Sequence, residues 1–131
     1  MSGKTYLLDT NIVIGLFANE PSIIEKIKSH PSGIFIPSIV FGELFYGAEQ
    51  SSKKDENRKK IDGLAQASLI LECDLDTARL YGKIKSQLKV KGSPIPENDI
   101  WIASLAQQHH LTLVTRDKHF ISIGALLIDN W

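Results

Sequence analysis

The chain has a single cysteine, Cys73, so no intramolecular disulfide can staple it. Cys73 follows the apolar run Leu69-Ile70-Leu71, which reads as the setting of a buried structural thiol rather than a reactive one. No apolar run approaches the ~18 residues of a membrane span. Lys4 stands near the start, but no long apolar segment or cleavage-type site follows it. The expectation is a cytoplasmic protein in a reducing compartment, with no membrane association. An excess of either charge is also missing. Lys and Arg total 15, Asp and Glu total 15, and the formal net charge is zero. That excludes a generic polyanion sponge, but not a nucleic-acid enzyme with a local basic rim. Internal repeats and low-complexity segments are absent as well.

What is present is one ordinary domain's worth of chain, residues 1–131, with a globular apolar fraction of 43%. Short apolar runs alternate with amphipathic segments. Tyr6-Leu7-Leu8, Gly33 to Pro37, Ser68 to Leu71 and Leu111 to Val114 read as buried strands, with Ala125 to Ile128 as a fifth, edge strand. Helices are expected over Ile12 to Ala18, Ser22 to Ser29, Ile39 to about Gln50 with Ser38 as cap, Asp74 to Gly92, and Ile100 to about His109. The charged stretch Ser51 to Lys60 reads as a solvated loop and helix face, with a basic contact surface as the alternative. Strands alternating with helices imply an α/β domain with a mostly parallel sheet of four to five strands, covered on both faces. In such sheets ligands sit beyond the carboxyl ends of the strands. Asp9 and Asp117 both fall at such ends.

Four carboxylates draw attention. Asp9 follows the first strand, where it can cap the next helix. Glu43 is the only charge between Ser38 and Ala48, in a helix whose apolar periphery predicts burial. An isolated buried carboxylate is costly unless a cation accompanies it. Asp99 can cap a helix, as can Asn98, and Asp117 can initiate a turn. Four acids converging on one crevice would repel by several kcal/mol at modest effective dielectric, on the order of Coulomb estimates at 4–6 Å. Such a cluster calls for a hard divalent cation, Mg²⁺ or Mn²⁺. His119 lies two residues past Asp117 and reads as a surface or capping histidine, with metal ligation as the lesser reading. Gly42 to Gly47 has the spacing of a phosphate-binding P-loop but lacks the Lys-Ser/Thr that must follow.

The motifs Leu8-Asp9-Thr10-Asn11, Gly42-Glu43-Leu44-Phe45-Tyr46-Gly47-Ala48, Asn98-Asp99-Ile100-Trp101-Ile102-Ala103-Ser104-Leu105-Ala106 and Leu113-Val114-Thr115-Arg116-Asp117-Lys118-His119-Phe120 together resemble the PIN-domain ribonucleases. Within that family they resemble the VapC-type toxins of toxin–antitoxin pairs. The resemblance spans nearly the whole chain and implies a PIN-like three-layer α/β/α sandwich. It further implies that Asp9, Glu43, Asp99 and Asp117 are catalytic metal ligands, supported by Asn11 and Thr115 and more weakly by Asn98. A metal lowers the pKa of a water it holds, so that the water can attack phosphorus at neutral pH. Cleavage to a 5′-phosphate and a 3′-hydroxyl is implied, on an RNA substrate that Arg79, Lys83 and Arg116 are candidates to contact. A cognate antitoxin with a basic C-terminal segment and a homodimer are implied too. Two other readings stay open. A phosphoacceptor receiver domain also places acids at strand ends, but usually as an acidic pair after the first strand, where Thr10 stands here. A PIN fold that has lost catalysis could act as a binding module, though all four acids are present.

Overall fold

Two short, largely buried apolar runs lie side by side at the centre of the sheet. They are β1 (Tyr6–Leu8) and β4 (Thr112–Val114), in a computed structural model that describes residues 4–131. Leu7, Leu8, Leu113 and Val114 have no exposed surface, as strands covered on both faces require. With β2 (Ile34–Pro37), β3 (Leu69–Leu71) and β5 (Ile128–Asp129) they form one sheet in the order β3-β2-β1-β4-β5. Every neighbouring pair is parallel. Tyr6 registers with Ile34 on one side and Thr112 on the other.

Among the described residues six α-helices flank the sheet: α1 (Thr10–Phe17), α2 (Pro21–Ser29), α3 (Ser38–Glu49), α4 (Lys54–Ala67), α5 (Leu75–Lys91) and α6 (Glu97–Gln108). Parallel neighbours need crossovers, and crossovers are right-handed. The chain steps from β1 through β2 to β3 in one direction, then returns to β4 and β5 in the other. The helices of the two runs therefore cover opposite faces. The strand order reverses between β1 and β4, and in such sheets ligands bind beyond the carboxyl ends of the strands at that point. Asp9 follows β1 directly, and Thr115-Arg116-Asp117 follows β4.

Several expectations are corrected. Cys73 is exposed. It follows β3, the sheet's edge strand, where Leu69 and Ile70 are themselves 51% and 40% exposed; an apolar run on an edge does not bury what comes after it. Helix α3 is not enclosed all round: Val40, Phe41, Leu44 and Ala48 face the core, while Gly42, Tyr46 and Gly47 face solvent. Ser38 lies inside α3, and Pro37 takes the N-cap position without a side-chain hydrogen bond. Helix α6 begins at Glu97 behind Pro96, so Asp99 sits within its first turn and is not its cap. The last strand falls later than expected, at Ile128–Asp129. The stretch after Ser51 is exposed apart from Ser51 and Asn57, with Arg58 paired to Glu49 at 2.5 Å. No helix of the described residues is long and apolar enough to cross a membrane.

Candidate active site

The crevice is built outward from Asp9. Its carboxyl is only 4% exposed. Oδ1 accepts from the Thr10 backbone N–H at 2.8 Å, so Asp9 caps α1. Oδ2 accepts from the Thr115 hydroxyl at 2.7 Å and from Asn11 Nδ2 at 3.2 Å. The cap and the crevice thus use different oxygens of one side chain. Thr115, buried beneath β4, also accepts from the Asp117 backbone N–H at 3.0 Å. Asn11 closes the loop by accepting from the Arg116 N–H at 3.1 Å. These bonds tie the segment after β1 to the segment after β4, across the point where the strand order reverses. Among the described residues no buried side-chain polar atom lacks a partner.

The other three acids arrive from separate elements. Glu43, half-buried on α3, accepts from the Thr10 hydroxyl at 3.0 Å. Thr10 is not among the residues expected at the site; its place between Asp9 and Asn11 is the sequence signal for this role. Asp117 opens a 3₁₀ turn (Lys118–Ser122), and its Oδ1 accepts the His119 N–H at 2.9 Å. Asp99 projects from the first turn of α6 with its side chain 13% exposed.

The charges of Asp9, Glu43 and Asp117 all act on Asp99. Burial first, and then the negative charges of Asp9, Asp117 and Glu43, together push the Asp99 carboxyl up to about 6, while His119 opposes them. Asp9 is raised too, chiefly by burial and secondarily by Asp117. The hydrogen bonds from Thr115, Thr10 and Asn11 pull it back and keep an ionised form accessible. His119, expected at the surface or in a cap, brings Nδ1 to 3.1 Å from Asp117 Oδ1 and 3.7 Å from Asp99 Oδ2. Sequence spacing alone could not show this, because Asp99 belongs to another element.

The remaining candidates stand apart from this cluster. Asn98 is exposed beside Asp99. The guanidinium of Arg79 pairs with Asp76 at 2.7 Å on the exposed side of α5. Lys83 lines a groove between α5 and Gly124 that contains none of the four acids. Arg116, a candidate RNA contact, is already paired within the chain. Its guanidinium holds Glu20 through two bonds, at 3.0 and 3.1 Å, and the Trp131 carbonyl at 2.9 Å. Beside Glu43 an apolar groove of about 230 Å³ opens between α1, α3 and α4, lined by Ile14, Phe17, Leu44 and Ile61, with Lys60 and Asn57 also at its wall.

The donor set suits a hard divalent cation. Buried carboxylate oxygens that raise one another's pKa are relieved by positive charge, and carboxylate oxygen donors favour Mg²⁺ or Mn²⁺.

Comparison with known proteins agrees with this geometry. The PIN-domain family model matches residues 6–126. Ribonuclease VapC2 of Haemophilus influenzae is 35% identical over 128 residues, 96% of this chain and 97% of that protein. The tRNA(fMet)-specific endonuclease VapC of Shigella flexneri is 32% identical over the same shares. Among solved structures, VapBC2 from Rickettsia felis bound to a DNA fragment from its promoter superposes with a TM-score of 0.90 at 34% identity, covering 97% of this chain and 98% of that one. The crevice and these full-length likenesses lead to one conclusion: the chain belongs to the PIN-domain family, among the VapC ribonucleases.

Proposed function

We propose that this chain is a divalent-metal-dependent endoribonuclease, acting in the cytoplasm as the toxin of a toxin–antitoxin pair. The observation that supports the reading is that Asp99 and Asp117 face each other from different elements, while Thr115 and Thr10 tie Asp9 and Glu43 to the same strand ends. Asp9, Asp99 and Asp117 would hold Mg²⁺ or Mn²⁺, with Glu43 completing the acidic set. The bound ion would activate water and offset charge on the phosphodiester. The protein's own part is positional. Thr115 and Asn11 fix Asp9 Oδ2 through direct hydrogen bonds, and Thr10 fixes Glu43. Asp99 carries the raised pKa of a carboxylate buried beside other acids, a cost that a bound cation would relieve. The overall reaction joins a water oxygen to phosphorus and breaks the P–O3′ bond, leaving a 5′-phosphate and a 3′-hydroxyl.

Arg79 and Lys83 are proposed as contacts to the RNA backbone, since both are exposed on α5, which packs against α6. Arg79's exposed pair with Asp76 is weak enough to exchange for phosphate. Arg116 is proposed instead as a brace that holds the turn after β4 to Glu20 and Trp131.

A cognate antitoxin is proposed to place a basic C-terminal segment over the acids. The similarity to a toxin–antitoxin complex supports this, as does the apolar groove continuous with Glu43. A homodimer is proposed on the family resemblance. Co-expression with the product of the adjacent open reading frame should yield a complex on purification, and sedimentation should give twice the chain mass. The decisive experiment is cleavage of RNA by purified protein in Mg²⁺ or Mn²⁺. Asp9→Asn and Asp99→Asn should each lower the rate by at least about 10²–10³-fold, the cost of deleting a group that stabilises transition-state charge. Wild-type rates in both variants would refute the assignment.

A further inference from the structure

The turn after Asp117 carries a donor that is not a carboxylate. Phe120, with no exposed surface, anchors this turn in the core. Asp117 caps it by accepting the His119 N–H. One short turn therefore presents a carboxylate and an imidazole together, and Asp99 faces both from α6. The donor atoms of Asp99, Asp117 and His119 all lie within 4.8 Å of one another. Adjacent ligands of an octahedral ion with bonds of about 2.1 Å stand about 3 Å apart. His119 Nδ1 stands 3.1 Å from Asp117 Oδ1 and 3.7 Å from Asp99 Oδ2. The 3.1 Å separation already matches adjacent ligands, and the 4.8 Å limit on all three lies close to the about 4.2 Å between opposite ligands of such an ion.

We propose that His119 is a nitrogen ligand of the divalent ion shared by Asp99 and Asp117, and that it biases the site toward Mn²⁺ over Mg²⁺. This rests on the metal-dependent reading above. Mg²⁺ prefers oxygen donors in a strict octahedron and keeps its waters. A neutral imidazole favours first-row transition ions, of which Mn²⁺ accepts carboxylate and imidazole together. The other three histidines are placed elsewhere. The His30 ring packs against Tyr6 and Trp131. His109 and His110 follow the far end of α6, ten and eleven residues from Asp99, on the order of 15 Å along a helix. A nitrogen signal from a metal in the crevice therefore reports on His119.

The test is pulsed EPR of the full chain loaded with Mn²⁺, with titrations of Mn²⁺ and Mg²⁺ beside it. The wild type should show ¹⁴N coupling to the bound Mn²⁺. His119→Gln should lose the coupling and bind Mn²⁺ about 10–100-fold more weakly, with Mg²⁺ affinity changed less than about threefold. Absence of ¹⁴N coupling in wild type that binds Mn²⁺, or its persistence in His119→Gln, would overturn the proposal while leaving the acidic site intact. His119→Asn, checked for an unchanged circular dichroism spectrum, separates ligand loss from misfolding; a folded variant that keeps the nitrogen coupling also overturns it. Failure of the wild type to bind Mn²⁺ at all, or equal binding by Asp99→Asn, would overturn this proposal and the metal-dependent reading together.

Discussion

Replacing Asp99 by Asn should stabilise the metal-free protein. Asp99 ionises at about 6 in place of 3.8, because burial and the charges of Asp9, Asp117 and Glu43 oppose its anion. Each pKa unit is worth 1.36 kcal/mol, so the ionised side chain costs about 3 kcal/mol at pH 7, as an order of magnitude. An acid whose folded pKa is raised binds more protons folded than unfolded between the two values. Its cost is therefore absent below 3.8, grows as pH rises, and is fully present above 6. The opposing effect is small. Asp99 accepts no capping hydrogen bond, and its benefit from the α6 dipole is roughly 0.3–1 kcal/mol. In EDTA at pH 7.5 the variant should melt higher by on the order of 5–10 °C. The gain should fade as pH is lowered toward 4. Thermal melts of both proteins at pH 7.5 and pH 4.5 decide the matter. An unchanged or lower melting temperature at pH 7.5, or a gain that does not shrink with acid, would refute the picture of crowded carboxylates. Added Mn²⁺ should reverse the order, because only the wild type keeps the full ligand set.

Three further outcomes follow from particular contacts. Thr115→Val removes the 2.7 Å bond to Asp9 and the acceptor for the Asp117 N–H. It should cost about 1–3 kcal/mol in a urea melt and weaken Mn²⁺ binding about 10–100-fold in calorimetry. Gly15 is buried where α1 meets α2, and a Cβ there would collide with Glu20 and Ile23. Gly15→Ala should lower stability by about 1–3 kcal/mol and loosen the Arg116 brace, which a urea melt and the line-widths of the Arg116 side-chain NMR signals would show. Cys73 is exposed, with its thiol pushed up by partial burial and by Asp74. It should react stoichiometrically with a thiol reagent in native buffer, more slowly at pH 7.5 than a free cysteine.

The chain's local patterns settled much in advance. Apolar runs without alternation announced a parallel sheet, since only strands covered on both faces tolerate them. The isolation of Glu43 among apolar residues, and the polar breaks after Tyr6-Leu7-Leu8 and Leu111 to Val114, marked three of the four acids. Element boundaries were less legible at Ser38 and Asp99, where a proline ahead of the helix took the N-cap position. Cys73 was misread because an edge strand and a central strand can carry the same apolar run. Only the sheet's neighbours tell them apart.

What the sequence by itself determined is the inventory: which residues carry charge, which runs must be buried, and which loops follow strand ends. Tertiary structure alone decided proximity. The sheet order 3-2-1-4-5 sets β1 beside β4, though more than a hundred residues separate them, and so joins Asp9 to Thr115. The packing of α6 brings Asp99 to Asp117 and His119, and the fold pairs Arg116 with Glu20. The physical reason is that charge effects depend on distance and burial. Neither exists until the chain has closed on itself.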